Sequence, residues 1–335
     1  MRTPTPARAD HGPTTAPRRP YVVASLPPDA LAGATRLVTE HTDVVDSVTP
    51  CLYRIGPHDD TVELLAGAPA AAAAVATLRA ASCSVLPGIT DRFGDDRSDV
   101  VPRMLRDPLR TARHVTAVVD LVRRHGYAGV EIEFVTVRPE DRDAFSAYAA
   151  DLAQALHDTG ARLAVTVGAK THDRDGDEHD AAHDYGALGA VVDELRLRTL
   201  DCHWATTPPG PVAPVDWIRA VLTYATALVP ADKIVMGVAT TGYRWTGDSG
   251  APIGHRDALA LADRLAGGEV RWDPLSAAPW FGRREPGGTA HEVWFEDARS
   301  LAAKRYVAAE AGVHGLLLWL TAPPDPRVWG ELAGS

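Results

Sequence analysis

Eight short apolar runs rich in β-branched residues, separated by helix-like stretches, constrain this chain more than any other feature of its sequence. The runs are 21–25, 44–53, 82–89, 129–134, 162–167, 194–200, 234–238 and 315–320. Between them lie segments expected to be helical: 28–40, 68–80, 110–124, 139–157, 180–191, 215–228 and 298–311. Pro139 followed by Glu140 and Asp141 marks one helix start, where a proline fits the first turn and the helix dipole favours acids. Strands alternating with helices are the pattern of parallel βα units, and eight of them predict an α/β chain folded as one (β/α)8 barrel.

The connection between the seventh and eighth runs, residues 243–297, is too long for an ordinary loop. It contains an expected helix at 255–266, extended segments at 270–273, 279–283 and 291–295, and a turn signal at Glu285-Pro-Gly-Gly288. It is expected to form a small α+β insertion on the barrel rim. Residues 1–19, rich in Pro, Thr, Arg and Ala, are expected to be a disordered tail, and residues 20–335 one barrel including the insertion.

Charge narrows the partners. A net charge of −10 and a pI near 5.7 argue against nucleic acid, which needs a concentrated basic surface. No apolar run is long enough to cross a bilayer, so no membrane partner is expected. The first nineteen residues lack the apolar core of a secretory signal, which predicts a cytoplasmic protein while leaving an extracellular one open. Cys51, Cys83 and Cys202 are odd in number and widely spaced, the pattern of buried thiols rather than of disulfides or a zinc site. The acidic stretch 173–179 with His183 has carboxylates and an i, i+4 histidine pair, but it lacks calcium-loop spacing and reads as a solvated loop. No metal or cofactor is expected.

In such barrels the chemistry lies at the C-terminal ends of the strands. The fourth run reads Gly126-Tyr-Ala-Gly-Val-Glu-Ile-Glu-Phe-Val135, and alternation puts Glu131, Glu133 and Val135 on its lumen face. Buried carboxylates there need partners, and Arg196 or Arg198 of the sixth run could supply them. The segment resembles the signature of glycoside hydrolase family 18, a spaced series of acids ending in glutamate. It is most similar to the spore-cortex and germination branch, whose members continue into a like Pro-Glu-Asp-Arg helix start. Further segments share the resemblance: Arg162–Val167 with Lys170, His183–Leu188, Thr199–Trp204 with Gly210–Pro214, Lys233–Gly237 with Gly242–Trp245, Val293–Ala298, and Gly315–Trp319.

The resemblance implies a chitinase-like barrel that takes an N-acetylglucosamine-containing glycan, chitin oligomer or peptidoglycan, as its partner. In that family the last glutamate protonates the glycosidic oxygen and the aspartate two residues earlier orients the substrate acetamide, which is the nucleophile. Here the glutamate position is Val135, the aspartate position Glu133, the one before it Glu131, and the first acidic position Ala128. The tyrosine position that clamps the acetamide is Leu200, while the neighbouring aspartate is kept as Asp201. Two residues along a strand span about 6.7 Å and a methylene adds about 1.5 Å of reach, so Glu133 is not expected to replace the missing acid.

The sequence therefore predicts a glycan-binding barrel with hydrolysis lost or much reduced. Glu131, Glu133 and Asp201 are remnant catalytic positions, and Trp319, Tyr243, Trp204, His203 and Tyr53 are candidate substrate contacts. All eight tryptophans follow residue 200, and Trp204, Trp245 and Trp280 are expected on loops near the site face. Two alternatives stand beside this reading. One is an active glycosidase that recruits Glu131, Glu133 or Asp201; the other is a non-catalytic barrel whose surface serves a protein partner.

Overall fold

The computed structural model describes residues 19–56, 61–65, 67–92, 99–173, 180–247, 249–284 and 290–334. The expected tail (but for Arg19), the 285–288 turn and most of the acidic stretch lie outside these residues.

Eight parallel strands close into a ring. The first strand, Tyr21–Leu26, pairs on one side with the second, Ser47–Ile55, and on the other with the eighth, Gly315–Trp319. Between them run Gly88–Thr90, Gly129–Glu133, Arg162–Gly168, Glu194–Arg198 and Ile234–Ala239, each parallel to its neighbour. The chain is a (β/α)8 barrel. Its main core lies between the outward strand faces and the helices, where Val22, Val48, Ile132, Val165, Leu195, Met236 and Leu318 meet Leu78, Val118, Leu152, Leu222 and Leu301.

Helices start and stop where local chemistry dictates. The helix Pro108–His125 has proline at its first position, and the Asp107 carboxylate accepts from the backbone N–H groups of Leu109 and Arg110. It ends at Gly126, whose φ of 60° is costly for any residue with a Cβ. The helix Ala298–Glu310 carries a reciprocal cap between Asp297 and Ser300.

Several elements differ from expectation. The third run is broken into Ser84–Val85 and Gly88–Thr90, because Pro87 has no N–H to continue the ladder. The expected helices 139–157 and 180–191 each open with a short 3-10 turn, and their regular parts are Arg142–His157 and Tyr185–Val191. Short helices Val100–Leu105 and Val328–Ala333 had no clear periodic signal. The insertion forms a five-stranded antiparallel sheet in the order Ser249–Ile253, Gly242–Thr246, Ala290–Trp294, Ala278–Arg284, Arg271–Asp273, with the helix His255–Ala266 beside it. Its first hairpin is not marked by the sequence reading. Of the cysteines, Cys51 is buried, whereas Cys83 and Cys202 are half-buried, and all three are free.

Candidate functional site at the barrel mouth

The lumen is divided lengthwise. On the side of the first, seventh and eighth strands it is apolar, with Val23, Val235 and Leu317 packed together and Trp319 against them. On the opposite side it is ionic. The Arg196 guanidinium donates two hydrogen bonds to Glu194 Oε2 (2.9 and 2.7 Å), one to Glu131 Oε1 (3.0 Å) and one to Thr49 Oγ1 (2.6 Å). Thr166 donates to the same Glu131 oxygen at 2.6 Å. Below, Arg162 joins Glu194 to Ser84, and the Tyr21 hydroxyl also donates to Glu194. Glu131 and Glu194 thus share one arginine in the barrel's interior.

These contacts act differently on the two carboxyls. Burial pushes Glu131 upward, and Arg196 offsets only part of that shift. Burial also opposes ionisation of Glu194, but the charges of Arg196 and Arg162 overcome it and hold its carboxyl below the usual range.

One layer higher, Glu133 takes a different partner from the one the sequence suggested. Its Oε1 accepts from Arg92 Nη1 at 2.9 Å, with the arginine side chain 33% and the glutamate 5% exposed. Arg92 comes from the end of the third strand and was not among the expected site residues. The only sequence signal for it is the charged pair Asp91-Arg92 following an apolar run. Asp91, also missed, is buried, and its carboxylate accepts from the backbone N–H groups of Val135 and Thr136 and from the Thr136 hydroxyl at 2.6–2.9 Å. It fixes the chain where the fourth strand ends. His183 ties the same region together, accepting from Gly168 N–H and facing the Phe134 carbonyl at 3.2 Å.

The sixth strand delivers Asp201 in the left-handed region, φ 62°. Its carboxylate accepts from the Tyr243 hydroxyl at 2.9 Å, which brings two of the expected residues together. Burial raises the Asp201 carboxyl, opposed by that hydrogen bond and by the charges of Arg198 and Arg92. Leu200 packs into an apolar cluster with Val212, Ala239, Trp245, Ala278 and Trp294, bordered by Tyr243, Trp280 and Trp319. Trp319 therefore closes the apolar side of the lumen while remaining half-buried.

The other candidates scatter. Trp204 lies on the rim and is 45% exposed. His203 is half-buried, its Nδ1 facing the Pro208 carbonyl at 3.0 Å, and its ring leaves no room for a Cβ at Gly210. Trp245 and Trp280 are not on loops: both lie in strands of the insertion sheet, Trp245 only 1% exposed and donating to the Thr207 carbonyl. Tyr53 does not reach the mouth. Its hydroxyl meets that of Tyr127 at 2.9 Å in the core outside the barrel wall. The cause is a bulge: Cys51 pairs with Gly88 but Tyr53 with Ile89, so the side-chain alternation slips and Tyr53 turns outward.

The family model for glycosyl hydrolases family 18 matches residues 94–322. The chain belongs to glycoside hydrolase family 18. YdhD of Bacillus subtilis (strain 168), named as a sporulation-specific glycosylase, is 31% identical over 300 residues, covering 88% of this chain and 70% of YdhD. The cortical fragment-lytic enzyme of the same organism is 31% identical over 248 residues, covering 72% of this chain but 57% of that enzyme. A solved chitinase from Chromobacterium violaceum superposes with a TM-score of 0.86 at 27% identity, covering 94% of this chain and 98% of the chitinase. The chain is thus chitinase-like and related to cortex-lytic enzymes.

Proposed function

We propose that this family 18 barrel binds an N-acetylglucosamine-containing glycan, chitin oligomer or peptidoglycan, and that its hydrolase chemistry is lost or much reduced. The observation that carries the reading is the ion pair between Arg92 and Glu133 beside a valine at the position the family gives to its acid. With its Oε1 taken up by the Arg92 guanidinium, the Glu133 carboxylate is held to a protein partner rather than free to meet a glycosidic oxygen. Val135 has no proton to give. Leu200, where the family's acetamide-clamping tyrosine stands, offers neither donor nor acceptor and is packed among aromatic rings.

The chitinase-like ancestry and the half-buried Trp319 support retention of a sugar surface, since an indole face stacks on a pyranose ring. The test is a titration of the protein with N-acetylglucosamine oligomers and peptidoglycan fragments read by tryptophan fluorescence, beside an assay on an activated aryl glycoside. Saturable binding without turnover is expected. Turnover of about 1 s⁻¹ or faster would overturn the loss of chemistry. Absence of binding to any glycan would favour the protein-partner alternative.

A second reading has one observation in its favour. Of the three remnant acids, Asp201 is half-buried at the mouth, its carboxyl is raised by burial, and no ion pair among the described residues locks it. A raised carboxyl at a strand end is what a recruited general acid requires. Slow hydrolysis abolished by Asp201→Asn would establish that reading.

A further inference from the structure

Two guanidinium groups face the mouth with most of their donors unengaged among the described residues. Arg198 follows Glu194 and Arg196 at two-residue intervals, so it continues the lumen face of the sixth strand above the ionic ladder. Its Nε is buried and has no hydrogen-bond partner among the described residues. Arg92 uses one nitrogen on Glu133. Both arginines act electrostatically on Asp201, which places them around one space.

A buried N–H without an acceptor costs about 1–3 kcal/mol, and such a group calls for a specific explanation. Among the described residues, the two acids nearest this space are engaged elsewhere: Glu133 is held by Arg92, and Asp201 by Tyr243. Burial also moves Asp201 toward its neutral form, which weakens its repulsion of an incoming anion. A sugar hydroxyl offers each guanidinium only a single, uncharged oxygen. A carboxylate is planar, carries two accepting oxygens and matches the guanidinium fork.

We propose that the mouth selects a glycan bearing a carboxylate, held between Arg198 and Arg92. This rests on the glycan-binding reading above and names the class of sugar it takes. Arg198 supplies the discriminating donor, because Arg92 is already committed in part to Glu133. On this reading the charged layer above the ladder replaces a neutral acetamide pocket with an anion-reading one.

The experiment is calorimetry on the full chain with four tetrasaccharides. They are an alternating N-acetylglucosamine–N-acetylmuramic acid glycan, its methyl ester, an N-acetylglucosamine tetramer, and a sulfated N-acetylglucosamine tetramer. The free acid is expected to bind at least about tenfold more tightly than its ester, a difference of about 1.4 kcal/mol. Arg198→Met should remove that preference, bringing acid and ester to equal affinity, and Arg198→Lys should restore part of it. Circular dichroism confirms that each variant is folded.

Equal affinity for acid and ester overturns the proposal and leaves glycan binding intact. Equal affinity for the sulfated tetramer also overturns it, in favour of general anion binding. Failure of all four sugars to bind overturns the glycan-binding reading itself. If Arg198→Met does not fold, the comparison of acid with ester on the unaltered protein still decides.

Discussion

At the scale of single residues, Arg196 carries the largest structural burden. It joins Glu131 and Glu194 in the buried interior of the barrel, so Arg196→Met leaves two buried carboxylates without their main cation. A loss of about 3–5 kcal/mol is expected, the usual effect of breaking a buried pair from one side. Urea unfolding of wild type and variant measures it; a change under about 1 kcal/mol would mean that Arg162 alone suffices. Chemistry at the mouth should respond differently. Val135→Glu alone is expected to yield little hydrolysis, because Leu200 holds no acetamide and Arg92 occupies Glu133. The triple change Val135→Glu, Glu133→Asp and Leu200→Tyr should exceed the product of the single effects on an activated aryl glycoside, since groups that act as a unit are non-additive. Additive behaviour among folded variants would refute that coupling. The lumen acids were legible because strand alternation fixes their face. Arg92 was not, because it reaches in from the end of a strand, and Tyr53 misled because a bulge reverses the parity on which alternation depends.

At the scale of elements, Asp325 holds the insertion and the last barrel helix together. Its carboxylate accepts from the backbone of Ala298 at 3.0 Å and from Arg327, and lies 3.7 Å from His255 Nε2. Burial opposes its charge, but those hydrogen bonds outweigh burial and hold the carboxyl down to about 2. A depressed carboxyl stabilises the fold above its unfolded pKa, near 3.9, and that contribution fades as pH falls toward 2. Asp325→Asn should therefore lower stability at pH 7 by about 2 kcal/mol and flatten the acid limb of the stability curve between pH 4 and 2. Parallel acid limbs for the two proteins would show that Asp325 is not the group titrating there. The same scale shows what sequence periodicity conveys. The helices Ala68–Ala80, Val215–Leu228 and His255–Ala266 were legible to the residue. The hairpin of Gly242–Thr246 and Ser249–Ile253 was not, since its second strand, Ser-Gly-Ala-Pro-Ile, has almost no β-propensity and is held by tertiary pairing.

At the scale of the whole molecule, the charged half of the lumen and the mouth are separate layers. The ladder around Arg196 therefore supports the barrel whatever stands at residue 135. The sequence of residues 1–18 contains few large apolar side chains, and the chain is anchored just after them by the Arg19–Asp46 ion pair. Their deletion is expected to leave the melting temperature within about 1 °C, as differential scanning calorimetry would show. A larger fall would mean that they pack against the folded chain.

The rim sheet also bears on how copies of this protein behave when crowded together. A closed ring of strands has no unpaired flank, but the five-stranded sheet has two, and each is a template on which another chain could extend. Both are blunted. One flank, Arg271–Asp273, is three residues long and begins and ends with a charge. The other, Ser249–Ile253, carries Pro252, which lacks a donor, and Gly250 sits so close to Ala205 that a Cβ there would clash with its backbone. The molecule can thus mount extra strands beside the barrel mouth without becoming a seed for fibrous self-association.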